Sequence, residues 1–195
     1  MKLFSALSVL ILVGSGILAR DRFTWVLEVA PILIVFPLLL ATSGRFRFTS
    51  LLYVLILVHF CVLALGGIYT YAEVPLGYWM ESWFGFTRNN YDRIGHFFQG
   101  FVPALALREL LLRTSPLRPG KWLTFLVIGF CLGVSASYEI IEWWTAASQG
   151  ASADAFLGTQ GDIWDSQSDM FMALIGATVA MLGMSKVHDR FLAKL

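Results

Sequence analysis

Apolar runs of 17 or more residues recur from one end of the chain to the other. A run of that length is what a helix needs to cross the hydrocarbon core of a bilayer. Six can be counted, over residues 3–19, 23–42, 49–70, 94–112, 122–145 and 167–185. The connectors between them reach about 23 and 21 residues at most, too short to fold as domains of their own. Only 14% of the residues are charged, against about 25% in a soluble domain, and the mean hydropathy is +0.71. The pattern predicts an all-α, polytopic membrane bundle of six transmembrane helices, with residues 1–195 as one integral-membrane domain whose immediate partners are membrane lipids.

Composition excludes some functions. A net charge of +1 gives no electrostatic footprint for nucleic acid. The two cysteines, Cys61 and Cys131, both fall inside apolar runs and read as buried small hydrophobes rather than a disulfide. The first run has the look of a signal peptide, with Lys2 ahead of an apolar stretch and small residues before Arg20. Ile17 is a poor companion to Ala19 at a cleavage site, so an uncleaved first helix is the preferred reading.

Lysine and arginine in the connectors set orientation. With the N-terminus in the cytoplasm, ten of them lie inside: Lys2, Arg45, Arg47, Arg108, Arg113, Arg118, Lys121, Lys186, Arg190 and Lys194. Four lie outside: Arg20, Arg22, Arg88 and Arg93. This bias predicts both termini cytoplasmic. The acids run the other way. Asp21, Glu28, Glu73, Glu81, Asp92, Glu139, Glu142, Asp154, Asp162, Asp165 and Asp169 fall on the outer side or in the outer half of a span, and only Glu109 and Asp189 fall inside. Acid counts do not set topology, so the asymmetry locates polar chemistry at the outer face.

Three segments carry that chemistry: "NNYDRIGHFFQG" (89–100), "YEIIEWW" (138–144) and "GDIWDSQSDM" (161–170). By order along the chain all three reach the same membrane face. Helical spacing then sorts the side chains. Asp92 and His96 are four apart and share a face with Gln99 and Pro103. Glu139 and Glu142 are three apart, Asp165 and Asp169 four apart, and Asp162 precedes Asp165 by a turn. Ala173, Gly176, Ala180 and Gly183 continue the stripe below Asp169, and Gly129, Gly133 and Ser137 form a second small-residue row leading to Glu139. Small residues let helices approach closely, and ionisable groups in spans face the bundle interior. Spans four, five and six are therefore expected to enclose one outward-facing polar cleft. Asp92 and Asp165 sit near helix N-termini, where negative charge is favoured by up to about 1 kcal/mol. Glu139 and Glu142 sit near a C-terminus and are the pair more disposed to share a proton.

Glu28, in the outer half of span two, can join this cleft from a fourth helix, with Arg93, Gln99 and Asp162 as supporting residues. His59, alone in the middle of span three, reads as a hydrogen-bonded bundle residue. Pro31, Pro37 and Pro103 suggest kinks. Trp79, Trp83, Trp143, Trp144 and Trp164 fall where an interfacial aromatic belt belongs.

The segments "YDRIGHFFQGFVPAL", "YEIIEWW" and "GDIWDSQSDMFMALIGA", with the opening "DRFTWVLEVAPILIVFPLLL", resemble the YjdF family of bacterial inner-membrane proteins. The resemblance covers most of the chain and implies location and architecture, but no reaction. A more distant likeness is to VanZ-like membrane proteins, through Asp92, Arg93, His96 and Phe97, then Glu139 and Glu142, then Asp165, Asp169 and Gly176. Glu142 stands where the VanZ pattern has Gln, and the 146–164 connector lacks the Arg that precedes the Asp in that pattern.

Three functional readings follow. In the first, the outward-facing His/Asp/Glu cluster binds a cation or an envelope-lipid headgroup, in a structural or binding role, because six or seven acids exceed what Arg88 and Arg93 can neutralise. In the second, a divalent metal (Zn, Mn or Mg) held by His96, Glu139, Glu142, Asp165 and Asp169 serves a hydrolase or transferase acting on an envelope lipid. There His96, Asp92, Glu139 and Glu142 are the catalytic candidates, with His96 as general base oriented by Asp92. In the third, Glu139 and Glu142 are carriers in proton- or cation-coupled transport. No HExxH or GxSxG motif favours the enzyme.

Overall fold

A computed structural model describes residues 1–149 and 159–195, and among these the regular structure is helical throughout. In order come α1 (Lys2–Leu18), α2 (Arg22–Glu28), α3 (Ala30–Thr42), α4 (Ser50–Tyr69), α5 (Pro75–Phe84), α6 (Tyr91–Thr114), α7 (Lys121–Gln149), α8 (Asp165–Val179) and α9 (Ser185–Leu192). A 3-10 turn, Tyr71–Glu73, precedes α5, and a π-helical turn, Ala180–Met184, joins α8 to α9.

By length and composition three stretches suffice to cross a membrane: α4, α7, and the continuous α8–α9 rod. Together α2 and α3 make a fourth, bent by 50°. At 17 residues α1 is apolar but shorter. The bend falls at Val29, two residues ahead of Pro31, which occupies the first turn of α3 where its missing N–H costs nothing. The other two prolines do not break their helices: Pro37 lies inside α3 and Pro103 inside α6. Asp21 starts α2 by accepting a hydrogen bond from the Thr24 N–H at 2.6 Å, and that bond holds its carboxyl below the usual range. The connector before α6 is not a plain loop. It carries α5, which starts at Pro75, ends on Gly85 in the left-handed conformation (φ +71°) and exposes Trp79, Trp83 and Phe84.

The bundle is organised around α6, against which α4, α7 and α8 pack. Its tightest contact is with α8, and glycine makes it. A Cβ placed on Gly100 would strike the Ala173 carbonyl, and one on Gly176 would strike the Phe97 carbonyl. The two backbones therefore touch, as small-residue interfaces allow in membranes. Ala173, Gly176, Ala177 and Ala180 are buried along this seam. Gly183, expected to extend it, has open space around it and is exposed, because the π turn rotates the rod's face away from α6. The second expected row is also corrected. Gly129, Gly133 and Ser137 lie on the outer surface of α7, whose buried edge is Leu123, Val127, Cys131, Ser135 and Glu139, offset by two positions. Cys61 is exposed on α4 and not buried as expected, whereas Cys131 is buried.

At the end of the bundle opposite the acidic cluster a second set of charges is wholly internal. Glu109 accepts hydrogen bonds from the Thr49 N–H (2.9 Å), the Thr49 hydroxyl (2.9 Å) and Arg113 (2.7 Å), and meets His188 Nε2 at 3.0 Å. Arg108 reaches His188 Nδ1 at 3.1 Å and Asp189 at 2.5 Å. Arg108, Glu109 and His188 are each at most 2% exposed. Nearby, Phe4 of α1 packs on Phe36 and Tyr53, and Tyr53 on Phe48. Residues near both ends of the chain thus meet at this end.

The glycine seam has a test in which sign matters more than size. Alanine is favoured over glycine in a helix by about 1 kcal/mol. Gly183→Ala should therefore leave the melting temperature in detergent unchanged or raise it slightly. Gly100→Ala and Gly176→Ala should instead lower stability, by about 1–3 kcal/mol, because the new methyl group overpacks a backbone contact.

Candidate functional site

The N-terminal end of α6 is fixed first by Asn89. Its side-chain amide donates to the Val74 carbonyl (3.0 Å) and accepts from the Tyr91 N–H (3.1 Å), lying against Gly77, where any Cβ would collide with it. Its backbone exchanges two hydrogen bonds with the Gln160 side chain, at 3.0 and 2.9 Å. Gln160 and Gly161 both have positive φ (48° and 84°), which turns the chain into α8. α5, α6 and α8 are thereby registered at one level.

The carboxylates divide into two sets. In the first, Arg88 and Arg93 together bind Asp162 (3.1 and 3.2 Å) and Asp165 (2.7 Å from each), and Arg93 also contacts Asp169. Arg93 further donates to the Asp165 backbone carbonyl at 3.1 Å. This fork ties the start of α6 to the start of α8. Asp165 is consumed by it, so the structure does not bring Asp165 into a metal-ligand group as the spacing led one to expect. Asp162, more open than Asp165, stands beside it as a supporting residue.

In the second set, carboxylates gather round His96. Its Nε2 lies 3.5 Å from Asp92, 3.7 Å from Glu139 and 3.9 Å from Asp169. One ligand atom from each of Asp92, His96 and Asp169 can be chosen so that all three lie within 4.8 Å of one another. Glu139 is buried, and its Oε1 finds no hydrogen-bond donor. On the other side of the ring Nδ1 meets Gln99 Oε1 at 2.9 Å. An amide oxygen only accepts, so Nδ1 carries the proton and Nε2 is directed at the carboxylates. Gln99 thus fixes the ring as an outer-shell partner does in a metal site.

Glu28 and Glu142 are drawn to this region but not into that group. Both line a neighbouring cavity together with Asp92, His96 and Gln99. Glu28 is 4% exposed. Tyr71 also lines the cavity, held in a slot between Gly66 and Gly95, where a Cβ on either would overlap its ring. Burial holds its phenol well above the usual range, so it is a neutral wall. Asp154 lies outside the described residues.

Several contributors escaped the spacing argument. Asn89 and Gln160 act through backbone contacts that no periodicity encodes. Arg88, expected only as one of two cations set against the cluster as a whole, clamps Asp162 and Asp165 in particular. His59, read as hydrogen-bonded, is buried with no partner on Nε2 and faces the same cavity. Trp79, Trp83, Trp143, Trp144 and Trp164 are all more than half exposed.

The sequence profile of a family described as "Predicted membrane protein (DUF2238)" matches residues 1–190. The chain belongs to that family. It is 52% identical over 185 residues to the inner membrane protein YjdF of Escherichia coli (strain K12), an alignment covering 95% of this chain and 88% of the relative. No solved structure matches. The DUF2238 profile, this relative and the apolar outer surfaces of the helices make the protein a multi-pass inner-membrane protein.

The arginine fork should behave as a desolvated ion-pair network. Arg93→Met strands Asp169, only 2% of whose side chain is accessible, and should destabilise the protein by about 3–5 kcal/mol. Adding Asp169→Asn removes the stranded charge and should recover part of the loss, read as paired thermal melts in detergent.

Proposed function

We propose that the chain crosses the inner membrane six times with both ends in the cytoplasm, and that it binds a divalent cation in its outer half. Asp92, His96 and Asp169 are the ligands, with Glu139 beside them. The observation that carries this reading is the direction of His96 Nε2. With Nδ1 protonated toward Gln99, Nε2 faces three carboxylates at 3.5 to 3.9 Å. These separations are too long for good hydrogen bonds. They are close to the spacing of two ligands on one ion, roughly 3–4 Å for bonds of about 2.0–2.2 Å. Facing these carboxylate oxygens, Nε2 needs positive charge between itself and them, and a bound divalent ion supplies it for all of them at once. One nitrogen and several oxygens suit Zn, Mn or Mg.

Topology is supported by contact and charge together. Phe4 on Tyr53, Thr49 on Glu109 and Glu109 on His188 bring the starts of α1 and α4, the end of α6, and α9 to one end of the bundle. Lys2, Arg45, Arg47, Arg113, Lys186 and Arg190 belong to that same end, as the positive-inside bias requires. α6 carries Arg93, Arg108, Glu109 and Arg113 within an otherwise apolar helix, and each of these is paired within the protein.

Two measurements test the proposal. Elemental analysis of protein purified without chelator should find about one divalent ion per chain. That ion should be lost in His96→Ala and kept in Asp165→Asn, whose carboxylate belongs to the arginine fork. A metal-free wild-type protein would sink the cation reading. Separately, a fluorescent-protein fusion after Leu195 should glow and an alkaline phosphatase fusion there should be inactive; the reverse pair would overturn the orientation.

A further inference from the structure

A cavity of about 350 Å³ runs between α3, α4, α6 and α7. Its outer end is polar, with Glu28, Asp92 and Glu142. Deeper in, Val35, Ile56, Phe60 and Leu63 line it, and Phe48 and Ala106 lie near its inner end. Measured along α6, from Asp92 to Ala106, it spans fourteen residues, roughly 21 Å at 1.5 Å per residue. One leaflet of hydrocarbon is about 15 Å deep, half of a roughly 30 Å core. The cavity is thus deep enough for a single extended chain, and its volume falls in the usual range for ligand sites, about 300–1,000 Å³. It has a side door: Leu38 on α3 and Val134 on α7 line it yet are also exposed at the bundle surface. α3 makes few close backbone approaches to its neighbours.

The polar end states what kind of headgroup fits. Glu28 is 4% exposed, faces this cavity, and has no hydrogen bond or ion pair among the described residues. Glu142 lines the same end. The basic side chains that could answer them, Arg88 and Arg93, are turned to Asp162, Asp165 and Asp169. Among the described residues no lysine or arginine lines the cavity. Partway down, His59 is buried with an unpartnered Nε2, a polar group without a protein acceptor or donor in an otherwise apolar wall.

We propose that this cavity is a binding site for a single-chain membrane amphiphile with an ammonium headgroup. The chain lies between α3 and α6, entering sideways past Leu38 and Val134. The ammonium is seated against Glu28 and Glu142, with Asp92 behind them. The site differs from the proposed cation site in using Glu28 and Glu142 where that site uses Asp169 and Glu139, although Asp92 and His96 border both.

The test uses the full chain, purified in a non-ionic sterol-based detergent and treated with chelator, so that its result does not depend on the metal inventory. Binding of hexadecylamine, hexadecanol and palmitate is compared by native mass spectrometry and by the shift in melting temperature. Hexadecylamine should bind about tenfold more tightly than hexadecanol, a difference of about 1.4 kcal/mol, and palmitate should bind least. Glu28→Gln combined with Glu142→Gln removes charge without removing shape, so it should keep hexadecanol binding and abolish the preference for the amine. Val35→Trp fills the corridor below the headgroup, and should exclude hexadecylamine while still admitting octylamine. Equal binding of the three probes to the wild type, no binding of any, or undiminished hexadecylamine binding by Val35→Trp would each overturn the proposal. A double Gln variant that keeps its preference for the amine would do the same.

Discussion

Two helix backbones in contact set the terms for everything else in this bundle. Gly100 and Gly176 let α6 and α8 approach until each glycine lies against a carbonyl of the other helix. Only at that separation can Arg93, near the start of α6, reach the Asp165 and Asp169 side chains and the Asp165 carbonyl. The seam also carries Asp169 to within 3.9 Å of His96. Van der Waals contact between backbones supplies the association that the hydrophobic effect cannot supply inside lipid. The ion pairs then lock rotation and register. The site is therefore a by-product of helix packing as much as of the polar residues themselves.

Much of this was legible in the chain, and the reason is physical. Long apolar runs declare membrane helices because lipid demands them. The four-residue spacing of Asp92 and His96, and of Asp165 and Asp169, declares a shared face on each helix. The convergence of Asp92, His96, Glu139 and Asp169 followed from those two facts and the order of the spans. What spacing could not settle was partnership. A carboxylate on the right face can serve an arginine, as Asp165 does, or remain without a cation, as Glu28 does. Side-chain reach from another helix decides which, and no periodicity records it. The misread row on α7 has a similar cause. Gly129, Gly133 and Ser137 are spaced like an interface, but Cys131 and Ser135 have the same spacing two residues along and occupy the buried side. The break at Val29 was displaced from Pro31 for a local reason: a proline in the first turn of a helix ends the preceding element and not its own.

The two polar ends of the molecule contrast in how they balance charge. The set beside α9 is closed: Arg108, Glu109, His188 and Asp189 answer one another, with Thr49 and Arg113 completing the count of donors. The set around His96 is open. Its arginines are committed to three aspartates, and Glu28, Glu139 and Glu142 remain facing His96 or the cavity. Buried carboxylates without cations are expensive in a protein interior. The fold thus satisfies charge fully at one end and leaves carboxylates in excess at the other.

The closed set also bears on how the protein is made. Arg108 is 2% exposed, and its partners His188 and Asp189 stand about eighty residues further along the chain. While the ribosome is still threading α7 and α8 into the bilayer, that guanidinium is without them, and its stay in lipid is costly. Arrival of α9 removes the penalty. The short C-terminal helix is in this sense the element that completes the charge balance of α6.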